Sequence, residues 1–238
     1  MAKERRKIVV AGPLWMGIQY RAAHSRDPAV QRAAKTQISS PAREVVNART
    51  SWQKLMLLLA CNFTPQDLVV TLSYTDDALP KTKDDADKRL TSFLRRLRAA
   101  RKDAGQELRY VRVTEGYHSG GRFHHHLIIN STGDDFDIIR QLWSKNGDNV
   151  QFDKFGRDGC DRWGKYLTKE PRIKGRIHVG DRTWRSSIHM RKPVVSCDYV
   201  SEDDKLQPPP GAEVLDRADC QNGYGSFSTI IALSGAES

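Results

Sequence analysis

Two short apolar segments joined by a glycine-containing loop constrain the fold of this chain more than any other feature. Residues 108–115 and 123–130 are rich in apolar and β-branched side chains, and the connecting sequence GYHSGGR contains three glycines. This pattern predicts an antiparallel β-hairpin. Because side chains alternate between the two faces of a strand, His124 and His126 should project from one face and His125 from the other.

Helical and strand patterns alternate along the sequence around this hairpin. Apolar side chains recur every three or four residues over residues 84–102, which predicts a helix. The run LVVTLSY predicts a buried strand over residues 68–74. A chain of 238 residues can bury one main core. Further helices are predicted at about residues 51–60, 135–145 and 159–170, and a short strand at about residues 150–152.

The charge is unevenly distributed along the chain. The whole sequence has a formal net charge of +10, whereas residues 201–238 hold seven acidic and two basic residues, so the first 200 residues carry about +15. A basic excess of this size favours a polyanion such as nucleic acid as the partner. We expect a basic N-terminal extension at residues 1–50, one main domain at residues 51–200, and an acidic, flexible C-terminal tail at residues 201–238.

The cysteines and the hydropathy argue against several classes of protein. The four cysteines are far apart and form no CxxC pair, which disfavours a disulfide framework and a structural zinc site. No segment approaches the roughly 18 apolar residues that a membrane-spanning helix needs, and no apolar secretion signal follows the basic N-terminus. We therefore expect a soluble, cytoplasmic protein with no membrane partner.

The hairpin carries a candidate metal site. Two imidazoles on one face of a strand can bind a metal ion together, and Glu115 at the end of the preceding strand can add a carboxylate oxygen. A set formed by His124, His126 and Glu115 leaves coordination positions open for water and a phosphate oxygen. Such ligands suit Mn²⁺ or Mg²⁺, although they would also bind Zn²⁺, Co²⁺ or Ni²⁺. The alternative is that both histidines are ordinary strand residues with satisfied hydrogen bonds.

A tyrosine and a lysine share one face of a predicted helix further along the chain. In the sequence DRWGKYLTKEP, Tyr166 and Lys169 are three residues apart. A tyrosine hydroxyl is a weak nucleophile at its usual pKa of about 10, but it can attack a phosphodiester that a metal ion polarises. Lys169 could then neutralise the phosphate or assist deprotonation. The alternative is that Tyr166 is a half-buried aromatic residue of an amphipathic helix.

Three segments together resemble the HUH endonucleases, and within them the rolling-circle replication initiators (Rep proteins) of phages, plasmids and small single-stranded DNA viruses. VVTLSY resembles their first motif, RFHHHLIIN the motif whose two histidines hold a divalent metal, and KYLTKE the Tyr-x-x-Lys motif of the nucleophile. The segments follow the family's order, and the resemblance covers about residues 51–195. Two departures are His125 at the centre of the histidine motif and Arg162 where some relatives have a second tyrosine. The chain therefore resembles the single-tyrosine enzymes.

The resemblance implies an α+β fold with a central antiparallel sheet of about five strands and flanking helices, related to the ferredoxin-like arrangement. It implies that His124, His126 and Glu115 bind Mn²⁺ or Mg²⁺. Tyr166 would be the nucleophile, assisted by Lys169. Such an enzyme nicks single-stranded DNA at a replication origin, leaves a covalent 5′-phosphotyrosine and a free 3′-hydroxyl primer, and rejoins strands at termination. No Walker-type GxxxxGK[ST] sequence occurs, so a separate helicase would unwind the duplex in the bacterial host of a phage or plasmid.

Basic and aromatic residues flank the proposed site and are candidates for DNA contacts. Cations beside aromatic stacking platforms suit single-stranded DNA, although each residue could equally belong to a solvated basic surface. The candidates are Arg109, Arg112, Tyr117, Arg122, Trp163, Lys165, Arg172, Lys174, Arg176, Arg182, Trp184, Arg185 and Arg191.

Two alternative functions remain open at this stage. A relaxase or a single-strand transposase of the same superfamily would share the chemistry, although relaxases commonly place the tyrosine near the N-terminus, whereas Tyr166 follows the histidines. A non-catalytic module that binds single-stranded nucleic acid would need neither Tyr166 nor a metal, because basic and aromatic sheet faces bind single strands by themselves.

Overall fold

The protein has an α+β fold with two antiparallel sheets of five strands each and four helices in the part of the chain that is described. In this computed structural model the described residues are 3–21, 41–116, 122–168, 184–222 and 225–234. They fall into two compact units. One unit is the middle of the chain, Gln37–Met190, and the other combines the two ends, Met1–Thr36 and Arg191–Ser238.

The middle unit is built around a sheet that we call the central sheet. Its strand order is β6-β3-β5-β4-β7, and all pairs are antiparallel. The expected central antiparallel sheet of five strands with flanking helices is confirmed. The strands are β3 (Leu68–Ser73), β4 (Tyr110–Glu115), β5 (His124–Ile129), β6 (Val150–Lys154) and β7 (Arg185–Ser186), and the helices are α1 (Pro41–Asn62), α2 (Lys83–Asp103), α3 (Asp135–Trp143) and α4 (Gly159–Leu167).

One face of the central sheet, the core face, packs against α2 and α3. The spacing that predicted α2 is explained by burial, since its apolar stripe lies in the main hydrophobic cluster with Trp143 of α3. Thr82 caps α2, because its side chain accepts a hydrogen bond from the amide of Asp85. From the sheet, Leu72 and Leu127 join this cluster. Burial of this face fixes the register, because a slip of one residue would expose every core side chain.

The opposite face of the central sheet, the site face, carries polar side chains near one end of β5. Thr71 of β3 lies directly opposite His126, and Glu115 of β4 lies directly opposite His124. Helix α4 lies over this face, with Tyr166 against His126, and α1 packs against α4.

The unit formed by the chain ends contains a second sheet, which we call the terminal sheet. Its strand order is β8-β1-β2-β10-β9. These strands are β1 (Lys3–Ala11), β2 (Leu14–Tyr20), β8 (Val194–Ser201), β9 (Glu213–Asn222) and β10 (Gly225–Leu233).

The division of the chain by contacts differs from the division expected from composition. Residues 3–20, in the expected basic extension, form a hairpin, and residues 213–222 and 225–233, in the expected acidic tail, form two strands of the same sheet. Helix α1 begins at Pro41 instead of near residue 51. The reason is physical: β9 alternates charged and apolar side chains, so one strand can be both acidic and ordered. Among the described residues, no helix combines the length and the apolar character needed to cross a membrane.

Candidate metal centre and nucleophile

Three ligand side chains converge on the site face, and we call Glu115, His124 and His126 the His–Glu cluster. The carboxylate oxygen Oε2 of Glu115 lies 3.4 Å from Nε2 of His124 and 3.6 Å from Nε2 of His126. One potential ligand atom from each residue lies within 4.8 Å of the other two. The cluster could therefore bind a metal ion. The antiparallel register produces this convergence, since it sets Glu115 and His124 side by side.

The other ring nitrogen of each cluster histidine is held by a hydrogen-bonding partner. Nδ1 of His124 lies 3.1 Å from the carbonyl oxygen of Arg122, and Nδ1 of His126 lies 3.1 Å from the hydroxyl of Thr71. A neutral imidazole that donates from Nδ1 presents its Nε2 lone pair as a ligand. Both rings thus have the support expected of metal-binding histidines, which favours a metal at the cluster over ordinary strand histidines.

A glycine at the end of β4 allows the chain to approach the cluster closely. Gly116 has a φ of 102°, a backbone conformation that residues with a Cβ rarely adopt. A Cβ at this position would lie 2.5 Å from the carbonyl oxygen of Arg122. That carbonyl is the one that lies beside the His124 ring. Gly116 therefore lets the hairpin close at the point where both Glu115 and His124 are positioned.

Helix α4 presents a tyrosine to the cluster. The hydroxyl of Tyr166 lies 3.4 Å from Nε2 of His126, and the two rings meet edge to face with centroids 5.1 Å apart. The Trp163 ring contacts Tyr166 in a similar geometry at 5.6 Å. The tyrosine is thus oriented by aromatic contacts, with its hydroxyl directed at the ligand atoms.

An open cleft of about 520 Å³ exposes this arrangement to a substrate. The side chain of His124 is 32% exposed, whereas those of His126 and Glu115 are each 6% exposed. The cluster therefore opens toward solvent on the His124 side. The cleft is lined by Val69, Thr71, His124, His126, Gln151, Phe152, Asp153, Arg162, Trp163 and Tyr166.

The middle histidine of the HHH sequence belongs to the core face. His125 is completely buried, with Nε2 2.7 Å from the Tyr74 hydroxyl and Nδ1 3.0 Å from the Thr114 hydroxyl. Thr114 in turn donates to a carboxylate oxygen of Asp87 at 2.9 Å. Burial lowers the pKa of His125 to about 3 and raises the pKa of Tyr74 above its usual range. His125 is therefore a neutral structural residue, on the side of β5 that strand parity predicted.

The candidate DNA-contact residues are scattered. Arg112 is buried on the core face, 3.5 Å from Asp87, and so is not brought to the cleft. Arg122 is half-exposed at its side chain and contacts Asp76 and the carbonyl of Tyr74.

Other candidates lie on α4 or at the edge of the sheet. Trp163 lines the cleft, and Lys165 pairs with Asp161 on another side of the helix at 2.7 Å. Trp184 donates to the Ser51 hydroxyl at 3.2 Å, and Arg185 is exposed on β7. Arg109 lies just before β4, and Arg191 is exposed in the unit of the chain ends. The residues outside the described ranges are Tyr117, Lys169, Arg172, Lys174, Arg176 and Arg182.

Three cleft residues were not predicted as site residues. Gln151 and Asp153 alternate along β6, and their register with Val69 and Thr71 brings them to the site face. Arg162 precedes Tyr166 by one helical turn and lies 3.6 Å from Asp153, stacked over the Trp163 ring. The helical spacing of Arg162 was visible in the sequence. The position of β6 beside β3 was not, because strand order leaves no local pattern.

Comparison with known proteins points to replication. Residues 67–171 match the model of a family described as Replication-associated protein ORF2. The matched segment contains the whole His–Glu cluster and Tyr166. No curated protein and no solved structure matches the chain. The match indicates a replication-associated protein that interacts with DNA, and it is consistent with a rolling-circle replication initiator.

Proposed function

We propose that this protein initiates rolling-circle replication by nicking single-stranded origin DNA through Tyr166. One observation supports the proposal above the others: the Tyr166 hydroxyl lies 3.4 Å from a histidine of the three-residue ligand cluster, inside one cleft. A structural tyrosine or structural histidines alone would not require a nucleophile and a ligand set to share a solvent-open cavity. The match to a replication-associated family supplies the biological role.

The cluster residues fit a divalent ion in a catalytic site. Two imidazoles and one carboxylate leave coordination positions free, and mixed nitrogen and oxygen ligands suit Mn²⁺ or Mg²⁺. When bound, such an ion would polarise the scissile phosphate and offset the negative charge that develops on it. The Thr71 hydroxyl and the Arg122 carbonyl would keep the two histidines in the tautomer that binds metal.

The chemical step is a transesterification. The phenolic oxygen of Tyr166 attacks the phosphorus, so that a tyrosine–phosphate bond forms as the bond from phosphorus to the 3′ oxygen breaks. Tyr166 gives up its proton, and the departing oxygen gains one and becomes a 3′-hydroxyl. The DNA remains attached through a 5′-phosphotyrosine, and attack by a 3′-hydroxyl on that linkage would rejoin strands at termination. Lys169, outside the described residues, would help to neutralise the phosphate.

The cleft offers groups that suit a single strand. Trp163 provides a ring on which a base can stack, and the Arg162 guanidinium beside it can contact a phosphate. A cleft open at the His124 side admits a flexible strand, whereas paired bases would have to be separated first. We therefore expect a separate helicase to supply the unwound substrate.

The test is the formation of a covalent adduct. Labelled single-stranded oligonucleotides that tile the protein's own replicon are incubated with Mn²⁺ or with EDTA, and denaturing gels report DNA attached to protein. We expect an adduct with wild type and Mn²⁺ only, and none with Tyr166→Phe. Tyr110→Phe is the matched control, because it removes the same hydroxyl from the core face of the central sheet.

The other outcomes separate the alternatives. Binding without an adduct on any fragment, at any metal concentration, would contradict the nuclease and favour a non-catalytic module. An adduct that persists in Tyr166→Phe would assign the nucleophile to another residue. Cleavage at a transfer origin or a transposon end, instead of a replication origin, would favour a relaxase or a transposase.

A further inference from the structure

The terminal sheet carries a row of aromatic and basic side chains across four of its five strands, and we call it the aromatic row. Tyr199 of β8 pairs with Arg5 of β1, Arg5 pairs with Tyr20 of β2, and Tyr20 pairs with Phe227 of β10. Residues directly opposite each other in antiparallel strands point to the same face, so all four side chains share one face.

The aromatic row is accessible to solvent. Tyr199 is 72% exposed and Phe227 is 43% exposed, although both are large apolar or amphipathic side chains. Arg5 is also exposed, and Tyr20 is partly exposed. Exposed aromatic rings are unfavourable in water unless a partner covers them. The row thus has the composition of a binding surface.

The same face is positively charged around the row. Lys3 and Lys7 lie two residues on either side of Arg5 in β1, and strand parity directs all three cations to this face. The acidic side chains of this face, Asp216 and Glu213, lie toward its opposite end, opposite Ile231 and Leu233. The charge around the row therefore favours an anionic partner.

The opposite face of the terminal sheet has a different character. It carries the carboxylates of Glu4, Asp198 and Asp219 among its basic groups. Gln19 and Ser226 donate hydrogen bonds to Glu4, so that carboxylate is held in place as an anion, with its pKa lowered mainly by these bonds. The contrast between the faces identifies the aromatic row as the side suited to a polyanion.

We propose that the aromatic row is a binding surface for single-stranded DNA, separate from the nuclease cleft. Bases would stack on Tyr199, Tyr20 and Phe227, while Lys3, Arg5 and Lys7 neutralise phosphates. Strands lie about 4.8 Å apart, so the rings on β8, β2 and β10 are spaced over roughly 14 Å, enough for two or three unstacked bases. Stacking of this kind is independent of sequence, so the surface would hold displaced DNA of any sequence. The choice of single-stranded DNA as the partner rests on the proposed function.

The experiment measures affinity of the full chain for a fluorescent oligo-dT by anisotropy, in EDTA and in a Tyr166→Phe background, so that no covalent chemistry occurs. We expect Tyr199→Ala combined with Phe227→Ala to weaken binding by tenfold or more, since stacking on each aromatic ring contributes about tenfold. Tyr199→Phe should retain the affinity because the ring remains. Arg5→Gln combined with Lys7→Gln should flatten the salt dependence, by about 0.7 in the logarithmic slope for each cation lost.

Val194→Ala is the matched control for the aromatic substitutions. Val194 lies on β8 like Tyr199 and is equally exposed, at 73%, but it belongs to the opposite face. Circular dichroism and thermal unfolding establish that each variant is folded. Unchanged affinity and unchanged salt slope in the aromatic and basic variants would overturn the proposal and favour a protein partner for the row. An equal loss with Val194→Ala would overturn it too, because it would indicate a general effect on the sheet.

The two proposals can fail separately. The nuclease is tested by the adduct through Tyr166, which needs metal and origin DNA. The aromatic row is tested by binding of oligo-dT without metal. Absence of an adduct together with a tenfold loss of oligo-dT binding would reject the nuclease and support the row. The reverse result would reject only the row.

Discussion

The three consecutive histidines of β5 have three different environments, although the sequence distinguishes them only by position. The side chain of His124 is 32% exposed at the cleft, that of His126 is 6% exposed beside Tyr166, and His125 is buried completely on the other face. Alternation along a strand accounts for the division. Each residue should therefore respond differently to substitution.

His125→Leu should destabilise the protein by about 2–4 kcal/mol, because the buried hydroxyl of Tyr74 loses its partner and that of Thr114 loses one of two. The same substitution at the partly exposed His124 should cost less than about 1 kcal/mol. Urea unfolding in EDTA, followed by circular dichroism, measures both changes without a contribution from metal. Equal losses of stability at the two positions would contradict the structural role of His125.

Thr71 should affect metal binding without being a ligand. Its hydroxyl lies 3.1 Å from Nδ1 of His126 and holds the ring in the metal-binding tautomer. Loss of such a partner typically costs about 10- to 100-fold in metal affinity. Thr71→Val should therefore weaken Mn²⁺ binding by that factor, measured by calorimetry, whereas Thr71→Ser should keep it. Similar affinities for the two variants would show that the hydroxyl is not needed.

Local periodicity explains why the sequence predicted some site residues and missed others. Parity along one strand was enough to pair His124 with His126, and the hairpin was enough to add Glu115. Gln151 and Asp153 reach the cleft only because β6 pairs with β3, whose partner on the other side is β5. Strand order depends on contacts between distant segments, and no short pattern encodes it. Buried Arg112 was misjudged for a related reason, since its partner Asp87 comes from α2.

At the scale of elements, the connection between β4 and β5 controls the geometry of the cluster. Gly116→Ala should destabilise the protein by about 1–3 kcal/mol, because φ is 102° there and the new Cβ would lie 2.5 Å from the Arg122 carbonyl. Relief of this clash would move Arg122 away from His124, so Mn²⁺ affinity should fall as well.

Gly105→Ala is the control for this prediction. Gly105 also has a positive φ, of 71°, but a Cβ there would meet nothing within 4 Å. It should lose stability of about 1 kcal/mol from backbone strain alone and keep its metal affinity. Urea unfolding and calorimetry on both variants compare the two effects. Intact Mn²⁺ binding in Gly116→Ala would mean that the turn does not position the cluster.

Elements with strong local signals were predicted well, and elements that depend on distant partners were not. The helix α2 has a clear apolar stripe and a capping threonine, and it was predicted within one or two residues of Lys83–Asp103. Strands β9 and β10 were not predicted, because their acidic and polar residues alternate with short apolar ones. Composition averaged over this segment indicated a tail, whereas pairing of β10 with β2 orders it.

At the scale of the whole molecule, the two ends of the chain pair with each other to form one sheet. β1 pairs with β8, although almost the whole middle unit separates them in sequence. A contact between such distant segments has no signature within either segment. The sequence therefore predicted the α+β class and the central sheet but not the terminal sheet.

Metal binding should stabilise the unit that contains the cluster. An ion that binds only the folded state adds about 2.7 kcal/mol at a concentration of 100 times Kd. For a unit of this size that corresponds to roughly 5–10 °C in Tm. We expect this rise when Mn²⁺ replaces EDTA in thermal unfolding of the wild type.

Two glutamate variants decide whether the cluster causes that rise. Glu115→Gln removes the charged ligand of the buried cluster, so the Mn²⁺-dependent rise in Tm should largely disappear. Glu107→Gln removes an equal charge from a side chain that is 66% exposed in the same unit, and it should keep the full rise. Because Tm is measured without DNA, the result does not depend on nuclease activity. If both variants keep the rise, the ion binds elsewhere and the His–Glu cluster is not the metal centre.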